Sequence, residues 1–236
     1  NFNAVPVISG VNRDETRLFN ALNPDLVKFV FSAIPTPRNP PLFDAVSDYQ
    51  SLMWRVRAVD DPLQDMTSGG HGDVWAYRFD WDEGGSVGPV DLGQLFGAGH
   101  GLEIPFVFNN YDVFGLDPLF TEANAPGRRT VSDAMTSYWV EFARTGDPGR
   151  GVNGDLPEWT RWPANAEADG PTLMVFDTEA GGGVRMEDGT VAASDVEAAL
   201  LSDPRLDHDV LRCSAYVWVS DWAPDTFKGS NRAGCK

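Results

Sequence analysis

The chain has 236 residues, 42% of them hydrophobic and 11% aromatic. That is enough to bury one large core and too apolar for a disordered segment. A formal net charge of −17 makes nucleic acid and anionic membrane surfaces poor partners, and no apolar run approaches the ~18 residues that a bilayer span requires.

Asn1 leads within four residues into Val5-Pro6-Val7-Ile8, as if the chain began inside a larger fold. Val5–Gly10 reads as a buried parallel strand, and the polar run Val11-Asn12-Arg13-Asp14-Glu15 as the turn after it. Thr16–Phe31 has helical spacing at Leu18, Phe19, Leu22 and Leu26, with Pro24 marking a break. Ile34–Pro41 contains four prolines and predicts a loop. Leu42–Val59 reads as a helix through Phe43, Val46, Tyr49, Met53 and Val56. Gly69–Gly72 is a turn, Val74–Trp81 a strand rich in aromatic and β-branched residues, and Gly84–Gly88 a flexible loop. Val131–Thr145 is an amphipathic helix stopped by Gly146-Asp147-Pro148. Thr172–Phe176 is a short apolar strand, Ala180–Val184 a glycine-rich surface loop, and Asp195–Leu201 and Asp209–Trp222 are helices. Strands separated by helices and long loops predict an α/β protein. Three visible strands are few for a complete doubly wound sheet.

Two positions join a titratable side chain to a special backbone setting. Glu15 follows an apolar strand, and in open α/β sheets functional groups gather at the carboxyl ends of strands. His100 stands between Gly99 and Gly101, which lets a tight turn present the imidazole. A neutral imidazole can take the proton of a serine hydroxyl, and a carboxylate on its other nitrogen holds the tautomer. Acid before histidine is the second half of the order Ser…Asp/Glu…His. Spacing alone leaves a structural role open for both residues.

The surrounding segments are more specific. Val5–Glu15, the run Gly97-Ala98-Gly99-His100-Gly101-Leu102-Glu103-Ile104-Pro105-Phe106-Val107-Phe108, Ser132–Met135, Tyr138–Pro148 and Leu156-Pro157-Glu158-Trp159 resemble, in this order, the C-terminal half of the type-B carboxylesterases. That family includes cholinesterases and para-nitrobenzyl-type esterases, and the similarity runs from about residue 4 to about residue 177. The resemblance implies an α/β-hydrolase fold, with residues 1–236 as the C-terminal part of one catalytic domain. It implies Glu15 as the catalytic acid and His100 as the catalytic base. The nucleophilic serine and the glycine-rich oxyanion loop would lie upstream, in an N-terminal half of the same protein that partners this chain. The substrate would be a small-molecule carboxylic ester, with no cofactor and no metal. Asp14 is the rival to Glu15 as acid, and Glu103 is expected to be a buried supporting carboxylate. The alternative function is a catalytically inactive relative used for binding or adhesion; competent residues at both available positions favour the enzyme.

Other features are read more plainly. Gly84-Gly85-Ser86-Val87-Gly88 matches a G-x-S-x-G elbow but is followed by Pro89 rather than a helix. His71 and His208 are expected to be solvated, and Phe43, Trp54, Phe106 and Phe108 to be core, with a place in the wall of an acyl or alcohol pocket open to some of these aromatics. Lysine occurs only at positions 28, 228 and 236. The acidic, lysine-poor composition fits a secreted or periplasmic setting and equally a compositional bias of the source genome. Cys213 and Cys235 fit one disulfide, worth about 3 kcal/mol, or two free thiols.

Overall fold

The structure is a computed structural model that describes residues 3–30, 34–112, 117–164 and 170–223. In chain order the elements are β1 (Val7–Asn12), α1 (Arg17–Ala21), β2 (Val27–Val30), β3 (Ile34–Pro37), α2 (Pro40–Arg55), a π-helical segment (Val56–Asp60), α3 (Asp61–Ser68), β4 (Val74–Phe79), β5 (Ser86–Val87), β6 (Val90–Asp91), α4 (Leu92–Phe96), α5 (Ile104–Val107), α6 (Ala125–Thr145), β7 (Pro171–Phe176), β8 (Arg185–Asp188), α7 (Ala193–Ser202) and α8 (Asp209–Ser220).

A four-stranded sheet of order β1-β4-β7-β8 organises the molecule. The first three strands are parallel, in the registers Val7↔Val74 through Asn12↔Phe79 and Ala76↔Leu173 through Phe79↔Phe176, and β8 closes antiparallel. Side chains alternate across the pleat. Trp75, Phe79, Met174 and Phe176 face one side and pack with Val131, Met135 and Tyr138 of α6. Val74, Ala76, Leu173 and Val175 face the other and pack with Val59 of the π segment and Leu63 of α3. Both faces are thus covered, as a parallel sheet requires. A further apolar cluster joins α2 (Val46, Met53), α7 (Leu200) and α8 (Tyr216, Val219). Gly10 is the residue that lets β1 lie beside β4, because a Cβ there would come within 2.1 Å of the Tyr77 ring.

Several expectations change. The helix expected over Thr16–Phe31 is only Arg17–Ala21; Val27–Val30 then runs extended and pairs antiparallel with Ile34–Pro37 inside the expected proline loop. Val27, Phe29 and Val30 suit a strand, and prolines are tolerated in a two-stranded ribbon with a free edge. Arg38 Nε closes the ribbon by donating to the carbonyls of Pro24 and Val27. Asn39 caps α2, its side chain accepting from Leu42 N at 3.1 Å, with Pro40 and Pro41 in the first turn. The Gly84–Gly88 stretch carries a two-residue strand, and β8 enters the main sheet unforeseen. Phe43 and Phe106 are buried and Trp54 partly so, but Phe108 is 75% exposed, at the C-cap of α5. His208 is an N-cap for α8 and His71 Nε2 lies 2.8 Å from Val5 O. Cys235, one partner of the expected bridge, lies outside the described residues.

Candidate active site

β1 ends at Asn12 and the chain turns through Arg13–Thr16, so Glu15 sits just past the carboxyl end of that strand. The turn and the short α1 after it are bolted to α2: Thr16 Oγ1 donates to Ser47 O at 3.0 Å and Asn20 Nδ2 to Gln50 Oε1 at 2.9 Å. Glu15 Oε1 accepts from Asn12 N at 2.8 Å, and Oε2 lies 2.6 Å from His100 Nδ1. The carboxylate is 7% exposed and the imidazole 46%. The pair therefore has a buried acid end and an open histidine end. Burial pushes the Glu15 carboxyl above the ordinary glutamate range; the hydrogen bonds from Asn12 and His100 pull in the opposite direction.

His100 is carried by a loop between α4 and α5. Gly97 adopts φ 57°, ψ −153° and Gly101 φ 81°, conformations that side chains with a Cβ rarely take. Asp14 holds this loop. Its backbone N donates to Ala98 O at 3.1 Å and its Oδ2 accepts from Ala98 N at 2.9 Å. Arg13 then bridges Asp14 and Asp82. Neighbouring carboxylates thus divide the work: Glu15 meets the imidazole, and Asp14 meets the backbone that carries it.

Glu103 makes its hydrogen bond to Asn12 rather than to His100. It is half-buried, and its Oε2 accepts from Asn12 Nδ2 at 2.5 Å. The same amide donates to Gly99 O at 2.7 Å. Asn12, 1% exposed, is therefore the hub that ties the Glu15 carboxylate, the His100 loop and Glu103 together. Sequence reasoning passed over it, although a polar side chain closing an apolar strand was the available signal. Two rings flank the histidine, Trp54 and Phe19, with centres 5.0 and 5.3 Å from that of the imidazole; sequence reasoning had Trp54 among the aromatics open to a pocket role and passed over Phe19.

Ser86 belongs to a two-residue antiparallel ribbon, paired with Asp91, and no hydrogen bond joins it to His100. It has neither the preceding parallel strand nor the following helix of an elbow. Among the described residues no group of three or more His, Cys, Asp or Glu side chains could hold a metal ion, and no helix is long and apolar enough to cross a membrane.

The model of the carboxylesterase family matches residues 35–189, an interval that contains His100 and begins after Glu15. The para-nitrobenzyl esterase of Bacillus subtilis (strain 168) is 29% identical over 186 residues, covering 74% of this chain and 35% of that protein. The acetylcholinesterase of Electrophorus electricus is 37% identical over 91 residues, 38% of this chain and 13% of its own. The chain thus spans about a third of the length of the para-nitrobenzyl esterase. The carboxylesterase EST55 of Geobacillus stearothermophilus superposes with a TM-score of 0.51 at 23% identity, covering 82% of this chain and 40% of that one. Aspergillus niger EstA gives 0.52 at 17% identity, covering 93% and 41%. These likenesses show the α/β-hydrolase fold, and with the family match, which covers more than half of the sequence, they establish that the chain belongs to the carboxylesterase family.

Proposed function

We propose that this chain supplies the acid and base of a serine carboxylic ester hydrolase, with Glu15 and His100 in those roles and the nucleophilic serine carried by an N-terminal half of the same protein. The observation that carries the reading is the 2.6 Å contact between Glu15 Oε2 and His100 Nδ1, buried at the carboxylate and open at the imidazole.

An ionised carboxylate can only accept, so Nδ1 bears the hydrogen and Nε2 keeps its lone pair. That nitrogen is on the ring edge opposite Glu15. It takes the hydroxyl proton as the serine oxygen bonds to the ester carbonyl carbon and the carbonyl π pair moves to oxygen. The resulting imidazolium is stabilised by Glu15 and returns the proton to the departing alcohol as the C–O bond breaks. Water then repeats the sequence on the acyl-serine and releases the acid.

The test is hydrolysis of short-chain 4-nitrophenyl esters by the full-length protein. His100→Ala is expected to lower kcat on the order of 10⁴-fold, and Glu15→Gln roughly 10³-fold or more, with small changes in KM. A full-length protein that binds such esters but hydrolyses none, or one whose turnover survives His100→Ala, overturns the reading.

A further inference from the structure

His100 forms one edge of an aromatic enclosure. The Trp54 ring lies 5.0 Å from the imidazole and stacks on Trp222 at 5.2 Å, with 24° between the planes. The Phe19 ring faces all three, its centre 5.3 Å from that of His100, 6.3 Å from that of Trp54 and 6.5 Å from that of Trp222. Behind the rings is a cavity of about 300 Å³ lined by Trp54, Arg57, Ala58 and Trp222. Trp54 is what joins this cavity to His100, and two larger depressions, of about 530 and 710 Å³, share no residue with the aromatic cluster.

The cavity has a local cause. α2 loosens into the π segment Val56–Asp60, and a widened turn inside a helix is a frequent mark of a functional site. Trp54, Arg57 and Ala58 are three and four residues apart and share one side. Ser9 Oγ on β1 donates to Ala58 O at 2.9 Å, which ties the widened turn to the strand that leads into the Glu15 turn. Arg57 is exposed and its Nη1 donates to Trp222 O at 3.1 Å. Among the described residues it makes no ion pair with a carboxylate, in a chain of net charge −17.

A space of roughly 150 Å³ takes a benzene molecule, so this cavity holds an aromatic ring with room for a substituent. Flat indole walls favour a flat occupant. A guanidinium at the rim favours an anion that can accept two of its N–H groups. We infer that this cavity is the subsite for an aromatic ring bearing a carboxylate, carried on the alcohol or the acid side of the ester and held beside His100. The inference rests on the ester hydrolase reading above.

The test compares kcat/KM of the full-length protein on pentyl acetate, benzyl acetate, ethyl phenylacetate, and the 4-carboxy forms of the two ring-bearing esters. In the wild type a carboxylated ring is expected to raise kcat/KM about tenfold over the unsubstituted one. Trp54→Leu should lower the ratio of ring-bearing to pentyl ester rates about tenfold. Arg57→Gln, at an exposed position where misfolding is not at issue, should lower the ratio of carboxylated to uncarboxylated rates by about the same factor. The ester series that responds identifies the side of the substrate. Unchanged ratios in both variants, or a wild-type preference for pentyl acetate, overturn the subsite and leave the hydrolase reading standing. Should the wild type hydrolyse no ester, the hydrolase reading fails, and the subsite is judged by tryptophan fluorescence on titration with 4-(hydroxymethyl)benzoate. Saturable quenching that is weakened by Arg57→Gln upholds it, and quenching absent or unaffected by the variant overturns it.

Discussion

Glu15 is placed at some cost to the fold. Burial raises its pKa despite the donors at Asn12 and His100, so the folded state binds this proton more tightly than the unfolded chain does. A raised folded pKa contributes stability at low pH that is lost as pH rises through it. Gln at this position keeps the acceptor for Asn12 N and removes the buried charge. Glu15→Gln is therefore expected to melt at a temperature equal to or above that of the wild type at pH 7–8, with the advantage shrinking toward pH 4, while hydrolysis collapses. Thermal melts at a series of pH values decide; a variant that loses stability progressively as pH rises contradicts the sign. Asp14 and Glu15 also show what sequence could and could not resolve. Both were visible as candidates, and the resemblance chose between them. The division of labour required the loop, because nothing along the chain says that Ala98 will sit against Asp14. The role of Asn12 was hidden for a related reason, although its place at the end of an apolar strand was visible: its two acceptors, Gly99 O and Glu103 Oε2, are far along the chain from it.

At the scale of elements, the His100 loop depends on glycines of two kinds. Gly97 combines φ 57° and ψ −153° with a Cβ position 2.4 Å from Asp14 Oδ2. Gly101 has φ 81° but nothing within 4 Å of its Cβ position. Gly101→Ala is thus expected to cost only the conformational penalty, about 1–2 kcal/mol. Gly97→Ala adds a clash with the carboxylate that holds the loop, so it should destabilise more and lower kcat as well, by moving His100 relative to its partners. Urea denaturation and ester hydrolysis on the two variants check the order; equal costs would mean that the Asp14 clamp gives way freely. Element type followed the strength of its local signal. α6 combined period and stop signal and was found with its C-terminus correct, although it begins at Ala125 rather than Val131. β1, β4 and β7 were dense apolar or aromatic runs and were found. The β2–β3 ribbon was missed because the period at Leu18, Phe19, Leu22 and Leu26 mimics a helix, and because prolines at 35 and 37 argue against pairing. β8 (Arg185–Asp188) has no apolar run at all; it is a strand because β7 offers it an edge. The π segment left no trace in the helical spacing of Leu42–Val59.

At the scale of the whole molecule, charge sets two effects against each other. Seventeen excess negative charges repel one another in the compact state. Exposed ion pairs such as Arg161–Asp73 and Arg150–Glu158 contribute roughly 0–1 kcal/mol each. Salt screens both, since the Debye length falls from ~30 Å at 0.01 M to ~3 Å at 1 M. The better-buried pairs are screened least: Arg55–Asp60, with side chains 9% and 5% exposed, and Arg78–Asp80, at 19% and 4%. What salt removes is therefore mainly long-range repulsion. Raising NaCl from 0.01 to 0.5 M should increase the melting temperature by a few degrees, about 2–4 °C for each kcal/mol of repulsion relieved. Calorimetry in NaCl and KCl would agree if screening is the cause. A melting temperature that falls with salt would show that the exposed pairs outweigh the repulsion, and that the acidic surface is held by its arginines rather than merely tolerated.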